Sequence, residues 1–566
     1  MTTIVTAVLP GVLNRTNSAR KIILDNKIQS CLGCFFIGVS FFQSMCVCDG
    51  ELARILQFLP TPWSTVQNGQ QKSVTMAILT RRILSSGKAW WRRGRPLLHK
   101  LDQVDTCTSV NSQSWSAPAF STISSSNITG ERRTWDKDQA LPLVIDTDGG
   151  VPIHLYAHEI ELQALQQLHI LATSPVPTDY ISAMPDAHLG KGVTVGTVFA
   201  SRDYVCPNAV GVDIGCGMAA VPLDGLYSWD LYNNSKKEGP SSKLVRIQQK
   251  IKASVPTGFN QHRTTLEGTM EVIDEITAEV RPTKYLEEQL LLPRVTDQLG
   301  TLGGGNHFLE LVYDEASGQV WVLLHSGSRN IGNRVATHYD KVAQQWLVQH
   351  HHDTKPLKGI HYMPIESQEG QDYLRDMEWC QHYAHHNRRI MKEIMLRIVE
   401  QETGCFADYS RAVNIHHNYC QCENCGNKGS LWVTRKGATS ARLGEMGIIP
   451  GSMGTGSYIT RGKGNLQSWN SSSHGAGRVL SRTKAHSEIS QEDFEASMKG
   501  ILCDTHPSVK DEAPQAYKDL TQVMEDQTSL TEIVVRLRPL LNVKGFESKL
   551  PKRYRKNRKK TRHKRN

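Results

Sequence analysis

Asp213 and Cys216 stand three positions apart in a turn bounded by glycines, so their side chains could converge on one cation. Four other blocks of the chain also combine glycine with potential ligands, chiefly histidine. A carboxylate, a thiolate and several imidazoles favour Mn, Zn or Fe, because Mg and Ca prefer oxygen ligands. One such turn is more often structural, but five in one chain predict a metal site. The blocks are PDAHLGKG (185–192), GVDIGCGM (211–218), GGGNHFLE (303–310), HSGSRNIGN (325–333) and HHN (416–418).

Two further blocks, GSMGTGSY (451–458) and SSSHGAGR (471–478), contain the small residues expected where a loop wraps a phosphate or a nucleobase. His474 lies between serines and a Gly-Ala-Gly turn, four residues before Arg478. A histidine in this place could attack phosphorus, and the arginine could stabilise charge on the transferred group. Taken alone, His474 would more often be an ordinary loop histidine.

The elements that must position these residues form a mixed α/β pattern, in which apolar runs such as VTVGTVFA and VWVLLH alternate with glycine-dense turns. The clearest helix is predicted over 383–400, where apolar residues recur on one face. His385 and His386, beside Arg388 and Arg389, are interpreted as a solvated face of that helix. No Walker loop, no GxGxxG motif opening a βαβ unit and no internal repeat is present, which disfavours the familiar nucleotide-binding folds.

The chain has 566 residues, with 65 Lys and Arg against 55 Asp and Glu, and 39% of its residues are hydrophobic. These figures exclude a wholly disordered, fibrous or polytopic membrane protein. Ten of the basic residues fall in 551–566, which contains no acid, so the charge excess comes from that tail. The middle of the chain is mildly acidic, and it could handle a polyanion only through a local cationic patch or metal ions.

The two ends differ from the middle. We predict a poorly ordered leader over 1–140, a catalytic domain over 141–545 and a disordered basic tail over 546–566. The uncharged run 30–48 is compatible with a membrane or signal segment, but no stable membrane association is expected. The basic, acid-free segment that begins at Met76 predicts mitochondrial or other organellar import, with cytoplasm or nucleus as the alternative. The tail is typical of non-specific RNA binding, a nuclear address or simple solubilisation.

In their order, these blocks resemble the RtcB family of GTP-dependent RNA ligases. The similarity extends from about Gly150 to Gly545 and includes HEIELQALQQL, PNAVGVDIGCGM, VTRKGATSAR and IPGSMGTGSYI. The compact spacing is closer to the short bacterial branch than to the longer archaeal and animal enzymes. The resemblance implies a single compact α+β (mixed α/β) domain with twisted sheets flanked by helices, and a cleft lined by the glycine-rich loops.

The resemblance also implies roles for particular residues. Two manganese ions would be bound by five ligands that lie within bridging reach, with the Cys216 thiolate between the ions. His474 would face the same cleft as the nucleophile that takes GMP from GTP. The implied ligands are Asp213, Cys216, His307, His325 and His417; guanosine and its phosphates would contact Asn306, Phe308, Glu310, Ser452, Ser457 and Lys544; RNA phosphates would contact Arg329 and Arg478.

The activity implied by the resemblance joins an RNA 3′-phosphate or 2′,3′-cyclic phosphate end to a 5′-hydroxyl end, in tRNA splicing or RNA repair. Helper proteins act with some relatives, but the sequence does not require them here. Two alternatives stay open. A metal-dependent cyclic phosphodiesterase would need Asp213 and Cys216 but neither His474 nor Lys544, and a non-catalytic RNA-binding protein would need only the basic tail.

Two features depart from the family pattern. Residues follow Lys544 here, whereas that lysine ends the short relatives, so the extension should exit to solvent without blocking the nucleotide pocket. Cys420, Cys422 and Cys425 follow His417 closely. Three thiols could bind zinc, but no fourth ligand is evident, so free or redox-active thiols are the favoured interpretation.

Overall fold

The computed structural model describes residues 128–129, 131–233, 239–353, 355 and 357–545. The chain separates into two units, 1–111 and 112–566, and all described residues belong to the second. The leader up to residue 127, the segment after Met76 and the tail from 546 lie outside the described residues, so their roles stay predictions. In the described part, no helix has both the length and the apolar character needed to cross a membrane.

The described elements mix helix and strand, which confirms the predicted fold class. The strands are β1 (Ile128–Thr129), β2 (Arg132–Thr134), β3 (Leu143–Ile145), β4 (Ile153–Leu155), β5 (Glu159–Glu161), β6 (Thr178–His188), β7 (Val195–Ser201), β8 (Tyr204–Val205), β9 (Gly217–Tyr227), β10 (Tyr232–Asn233), β11 (Gly239–Pro240), β12 (Phe308–Asp314), β13 (Gln319–Ser326), β14 (Met363–Pro364), β15 (Phe406–Ala407), β16 (Val413–His416), β17 (Asn418–Asn424), β18 (Ser430–Lys436), β19 (Ala438–Ser440), β20 (Met446–Pro450), β21 (Ser457–Gly462), β22 (Ser471–Ser473) and β23 (Thr531–Lys544).

The α-helices are mostly short, apart from two long ones in the second half of the domain. They are α1 (Leu162–Ala172), α2 (Pro207–Val210), α3 (Ser228–Leu231), α4 (Ser242–Ser254), α5 (Thr269–Glu279), α6 (Lys284–Leu290), α7 (Pro293–Asp297), α8 (Arg329–Gln349), α9 (Gln368–Thr403), α10 (Arg482–Glu488), α11 (Gln491–Ser497) and α12 (Leu520–Glu525). Short 3₁₀ turns cover Tyr409–Arg411, Gly426–Lys428, Leu466–Ser468, Pro507–Glu512 and Pro514–Ala516.

Two sheets form the framework. The larger has the strand order β15-β9-β13-β12-β23-β21-β20, with β16 also paired to β9, and all its pairs are antiparallel. The smaller has the order β17-β18-β7-β6-β4-β3, in which only β4 and β6 run parallel. A three-stranded sheet β1-β2-β5 pairs residues 128–134 with the strand at 159–161. Residues 128–134 precede the domain start predicted at 141.

Both faces of the larger sheet are buried along its central strand β13. Along β13, Val322 and Leu324 belong to one apolar core while Trp321 and Leu323 belong to another, because successive side chains point to opposite faces. The first core is covered by α4 and α9, since Met391 and Met395 of α9 pack into it. Sheets that are covered on both faces form a rigid platform, and the loops at their ends can then hold side chains in fixed places.

Helix α9 includes the predicted helix over 383–400 and extends it toward the N-terminus. The Ser367 side chain accepts a hydrogen bond from the Gly370 N–H and caps the start, and Gly404 ends the helix with a left-handed φ of 75°. His385 is exposed and His386 half-buried, as the solvated-face interpretation expects. Arg388, which the sequence analysis named only as their neighbour, is fully buried: one turn further on, the helix points a cation into the protein.

Candidate active site

The predicted ligands lie at one end of the larger sheet because strand ends meet there. Cys216 directly precedes β9, His307 directly precedes β12, and His325 is the penultimate residue of β13. The register pairs His325 with both Met218 and Phe308, and Phe308 with Lys544. Antiparallel pairing therefore brings residues that are hundreds of positions apart in sequence together at one end of the sheet.

Five side chains form what we call the metal-ligand cluster: Asp213, Cys216, His307, His325 and His417. The Cys216 Sγ atom lies 3.3 Å from His307 Nε2 and 3.2 Å from His325 Nε2. His307 Nε2 is 2.9 Å from Asp213 Oδ2, and the Nε2 atoms of His325 and His417 are 3.2 Å apart. The described residues contain two groups able to hold a metal, Cys216-His325-His417 and Asp213-Cys216-His307, and Cys216 belongs to both.

The arrangement of acceptor atoms in this cluster suits metal coordination better than hydrogen bonding. The carbonyl of Leu302 can only accept, so His307 donates to it through Nδ1–H at 3.0 Å and presents Nε2 to Asp213 and Cys216. Burial, reinforced by neighbouring cations, lowers the pKa values of His325 and His417 well below the ordinary value, so both imidazoles are neutral. Lone pairs on nitrogen, sulfur and oxygen thus face one another, and this donor set suits Mn or Zn.

The charge states of the two non-histidine ligands depend on their surroundings. Burial, and then the nearby Asp213 carboxylate, raises the pKa of the Cys216 thiol well above its usual range. Burial also opposes ionisation of Asp213, but the contact of its carboxylate with the His307 ring outweighs burial and holds the pKa of Asp213 below its ordinary value. Metal binding by Cys216 therefore requires the loss of a proton that the protein alone would retain.

A glycine allows the Asp213 carboxylate to approach the cluster. A Cβ atom built on Gly327, in the HSGSR turn, would lie 2.3 Å from Asp213 Oδ1. Any larger residue at position 327 would therefore displace the Asp213 carboxylate. The same turn follows His325 directly, so one segment supplies a ligand and also the space for another.

His474 lies beside the metal-ligand cluster on a different loop, directly after β22. Its ring centroid is 4.8 Å from that of His417. Its Nδ1–H donates to Asp186 Oδ2 at 2.6 Å, and the backbone N–H groups of His474 and Gly475 donate to the same oxygen at 3.2 Å. Asp186 is fully buried near the end of β6. The carboxylate therefore fixes the tautomer of His474 and leaves Nε2 with its lone pair free, without a hydrogen-bond partner among the described residues.

A cavity of about 350 Å³ joins the metal-ligand cluster to His474 and to the residues predicted to hold guanosine. Burial raises the pKa of Glu310 to about 7, and the Asn542 amide donates to its Oε1 at 2.6 Å. The Lys544 ammonium lies 5.9 Å from the centroid of the Phe308 ring. The predicted site residues that line this cavity are Asp213, Cys216, His325, His417, Asn306, Phe308, Glu310, Ser452, Ser457, His474, Arg478 and Lys544.

With this geometry in place, comparison with known proteins identifies the family. The family model of "tRNA-splicing ligase RtcB" matches residues 167–545. The chain belongs to the RtcB family. It is 40% identical over 402 residues to the RNA-splicing ligase RtcB of Escherichia coli K12, which covers 68% of this chain and 95% of that protein.

Two more distant RtcB proteins match over similar lengths. The RNA-splicing ligase RtcB of Mycobacterium bovis is 30% identical over 439 residues, covering 66% of this chain and 99% of its own. The tRNA-splicing ligase RtcB of the archaeon Nanoarchaeum equitans is 29% identical over 473 residues, covering 70% of this chain and 95% of its own. These matches confirm the resemblance stated from the sequence motifs, and the roles of individual residues stay predictions.

In this RtcB-family chain, the two arginines predicted to contact RNA lie in different surroundings. Arg478 lines the cavity, where it donates to Glu512 Oε1 at 3.3 Å and to the Tyr517 hydroxyl at 3.0 Å. Arg329 does not line the cavity. It has a left-handed φ of 58°, and its guanidinium donates to Thr301 Oγ1 at 3.0 Å and to the Gly258 carbonyl at 2.9 Å. Its bonds support the loop that precedes His307.

Arg388 is a residue of the RtcB site that the sequence reasoning missed. Its guanidinium donates to the carbonyls of Gly215 at 2.8 Å and Ser326 at 3.1 Å, and to Asn414 Oδ1 at 2.8 Å. Those acceptors lie on three segments that carry metal ligands, so one buried cation from α9 ties the segments together. Burial lowers the pKa of Arg388 to about 10, which still leaves it charged at neutral pH. The helical periodicity of α9 alone could have identified it, since it follows Tyr383 and Ala384 on the buried face.

Glu512 is a second missed residue. Its carboxylate accepts from Arg478, Arg482, Tyr517 and Lys544, and we call these five side chains the Glu512 cluster. The Lys544 Nζ–Glu512 Oε2 distance is 2.7 Å, and both side chains are about 5% exposed. Although burial opposes ionisation, these cations lower the pKa of Glu512 to about 2. No sequence motif marked this residue, because its partners come from three separate segments.

The three cysteines after His417 do not form a metal site within the described residues, where the two ligand groups found are those that share Cys216. Cys420 is buried in the core beneath α9, Cys422 is exposed, and Cys425 packs against a different core. Their side chains thus have separate environments. The residues after Gly545 that were expected to exit to solvent lie outside the described residues.

Proposed function

We propose that this RtcB-family RNA ligase joins RNA 3′-phosphate or 2′,3′-cyclic phosphate ends to 5′-hydroxyl ends, using GTP, two manganese ions and a covalent His474-GMP intermediate. The observation that carries the proposal is the place of His474. Its Nδ1 is bound to a buried carboxylate at 2.6 Å, and its ring lies 4.8 Å from that of a predicted metal ligand, in one cavity. A histidine with a fixed tautomer beside a metal site is suited to attack phosphorus.

In the first step, the lone pair on His474 Nε2 attacks the α-phosphorus of GTP. A nitrogen–phosphorus bond forms, the bond from the α-phosphorus to the bridging oxygen breaks, and pyrophosphate leaves. The imidazole keeps its Nδ1 proton and gains positive charge, and the Asp186 carboxylate balances that charge at 2.6 Å. No proton has to leave the ring for this step, which is why the tautomer matters.

The metal ions would be held by the metal-ligand cluster. When bound, they would neutralise charge on the triphosphate and the leaving pyrophosphate. The cavity residues would act on the nucleotide itself: Glu310 would accept from a nucleobase, Lys544 would donate to one, and Phe308 would offer an aromatic face. In later steps GMP would pass from His474 to an RNA 3′-phosphate, and a 5′-hydroxyl would attack the activated end, releasing GMP and sealing the strand.

Labelling with GTP tests this proposal. The purified full-length protein incubated with α-³²P-GTP and Mn should acquire an acid-labile label, because a phosphoramidate hydrolyses in acid. The His474→Ala variant should acquire none, while His350→Ala, which removes an exposed histidine at the end of α8, should label like the wild type. Undiminished labelling of His474→Ala would place the nucleophile elsewhere.

The same protein distinguishes the alternatives. A ligase converts defined RNA ends into a longer product with GTP and Mn. A cyclic phosphodiesterase would open 2′,3′-cyclic ends without GTP and without joining them. An RNA-binding protein would do neither, and its affinity would fall steeply with salt.

A further inference from the structure

Lys518 contacts the backbone of the β6 segment that carries Asp186. Its Nζ donates to the carbonyls of Pro185 and Ala187, both at 2.8 Å, and these two residues flank Asp186. Its backbone N–H donates to the Gly477 carbonyl at 2.9 Å, in the loop that carries His474. One residue therefore bonds both the strand that carries the carboxylate and the loop that carries the nucleophile.

The Asp186 segment needs such support, because its geometry is irregular and crowded. The register of β6 against β7 shifts between Ala183 and His188, so Asp186 lies in a bulge rather than in a regular ladder. A Cβ atom on Gly477 would lie 2.3 Å from the Asp186 carbonyl, which shows how closely the two segments approach. The register gives the residues between Ala183 and His188 no partner on β7. The two bonds from Lys518 hold the backbone of this stretch instead.

Charge gives a second reason. Asp186 is fully buried, and although Oδ2 accepts three hydrogen bonds, Oδ1 is buried with no hydrogen-bond partner. An ionised carboxylate in such a place is costly unless a cation lies near. Burial lowers the pKa of Lys518 to about 8, an effect that the Asp186 charge opposes, so the ammonium form still predominates at neutral pH.

We propose that Lys518 is a positioning residue for the nucleophile: it holds the backbone on both sides of Asp186 in place, and Asp186 in turn fixes the His474 ring for attack. This inference rests on the proposed function, because it concerns the formation of the His474-GMP bond. Lys518 does not line the cavity that contains His474, so its effect on the reaction would pass through Asp186.

Lys518 lines a separate cavity of about 380 Å³ together with Pro185, Val479 and Tyr517. That cavity offers a route for a small amine to reach the position of the missing ammonium after truncation of the side chain. It therefore provides a test that a merely structural lysine would not satisfy.

The test compares Lys518→Met, Lys518→Ala and Lys518→Arg with the wild-type full-length protein, and with Lys463→Ala as a matched control. Lys463 is exposed and donates to one carbonyl, that of Thr528, away from the site. The rate of self-labelling at saturating GTP should fall about 10- to 100-fold in Lys518→Met and Lys518→Ala, as for other residues that orient a ligand through a partner. The GTP concentration giving half-maximal rate should stay unchanged, and methylammonium should restore part of the Lys518→Ala rate. Lys518→Arg should retain more activity than Lys518→Met, and Lys463→Ala should label like the wild type.

Three outcomes would overturn the inference. Wild-type rates in Lys518→Met would show that the lysine does not position the nucleophile. A parallel loss of rate, GTP affinity and melting temperature without rescue by methylammonium would show a general structural role. Failure of the wild-type protein itself to label would remove the proposed function, and this inference with it, and is recognised without any variant.

Discussion

Two groups of buried polar side chains face the same cavity, and they are built on opposite principles. In the metal-ligand cluster, three imidazoles, a thiol and a carboxylate bring their nitrogen, sulfur and oxygen atoms close to one another. In the Glu512 cluster, one carboxylate accepts from four donors, so each charge has a partner within the protein. The first group is completed only by cations from outside. The second group is complete by itself, so a nucleotide that bound Lys544 or an RNA phosphate that bound Arg478, as predicted, would have to compete with Glu512.

The difference predicts which group depends on metal and which on the protein alone. Removing a ligand from the first group should abolish a response to added Mn and leave the fold nearly as it was. Removing Glu512 from the second group should cost stability in the absence of any ligand, because the buried Lys544 and the half-buried Arg478 would lose their carboxylate partner.

The largest effect is expected from Cys216→Ala. Because Cys216 belongs to both ligand groups, its loss should reduce GTP self-labelling and RNA ligation by at least about 100-fold. It should also remove the stabilisation by Mn, which for the wild type should reach about 2.7 kcal/mol at a metal concentration 100 times the Kd. Melting curves with and without Mn, and after treatment with EDTA, measure this.

Cys380→Ala is the matched control for that prediction. Cys380 is a fully buried thiol on α9, in the core that α9 shares with α8, and it belongs to neither ligand group. Its substitution should lower the melting temperature through lost packing but preserve the shift with Mn. An equal shift with Mn in Cys216→Ala would contradict the assignment of the metal-ligand cluster.

The second effect concerns Glu512→Gln. An amide cannot balance Lys544, Arg478 and Arg482, and breaking a buried pair on one side typically costs about 3–5 kcal/mol. Because the folded-state pKa of Glu512, about 2, lies below its ordinary value of 4.5, its stabilisation is present above pH 4.5 and is lost as the pH falls toward 2. Urea unfolding of wild type and variant between pH 3 and pH 7 measures both statements. Equal unfolding free energies at pH 7 would show that the network contributes nothing.

The third prediction concerns Glu310, whose contribution to stability changes with pH in the opposite direction to that of Glu512. Its pKa rises from 4.5 to about 7 in the folded protein, so the folded state binds more protons than the unfolded state between these values. Stability should therefore fall as the pH rises from 4.5 to 7, by up to about 3 kcal/mol. Glu310→Gln keeps the oxygen that accepts from Asn542 and should flatten that part of the pH profile. A variant that loses stability at pH 8 would contradict the raised pKa.

The sequence predicted the residues of the metal-ligand cluster but only part of the Glu512 cluster. The ligand blocks could be recognised because each carries glycine and a ligand within a few residues, and their order resembles a known family. Asp186 lies in one of those blocks, yet its role could not be inferred, since its partner His474 is 288 positions away. Contacts across strand ends depend on the register of the sheets, and no local pattern encodes that register.

Arg388 and Glu512 illustrate the same limit in two ways. Arg388 received no role in the sequence analysis, although helical periodicity places it with Tyr383 and Ala384 on the buried face. Glu512 lies in a 3₁₀ turn without apolar periodicity, and its partners come from α10, β23 and the loop after β22. The fold class and the long helix were accessible from local patterns, whereas buried pairs between distant segments were not.

The smallest expected effect provides the scale for the others. Arg461 and Glu532 form an ion pair at 2.6 Å between β21 and β23, with the same chemistry as the pairs of the Glu512 cluster, but each side chain is 48% exposed. Water screens such a pair and already solvates both groups, so breaking it should cost at most about 0.5 kcal/mol. Glu532→Gln, measured by urea unfolding beside Glu512→Gln, should change the free energy of unfolding by no more than that. A loss as large as that of Glu512→Gln would mean that burial does not set the strength of these pairs, and the contrast between the two clusters would lose its physical basis.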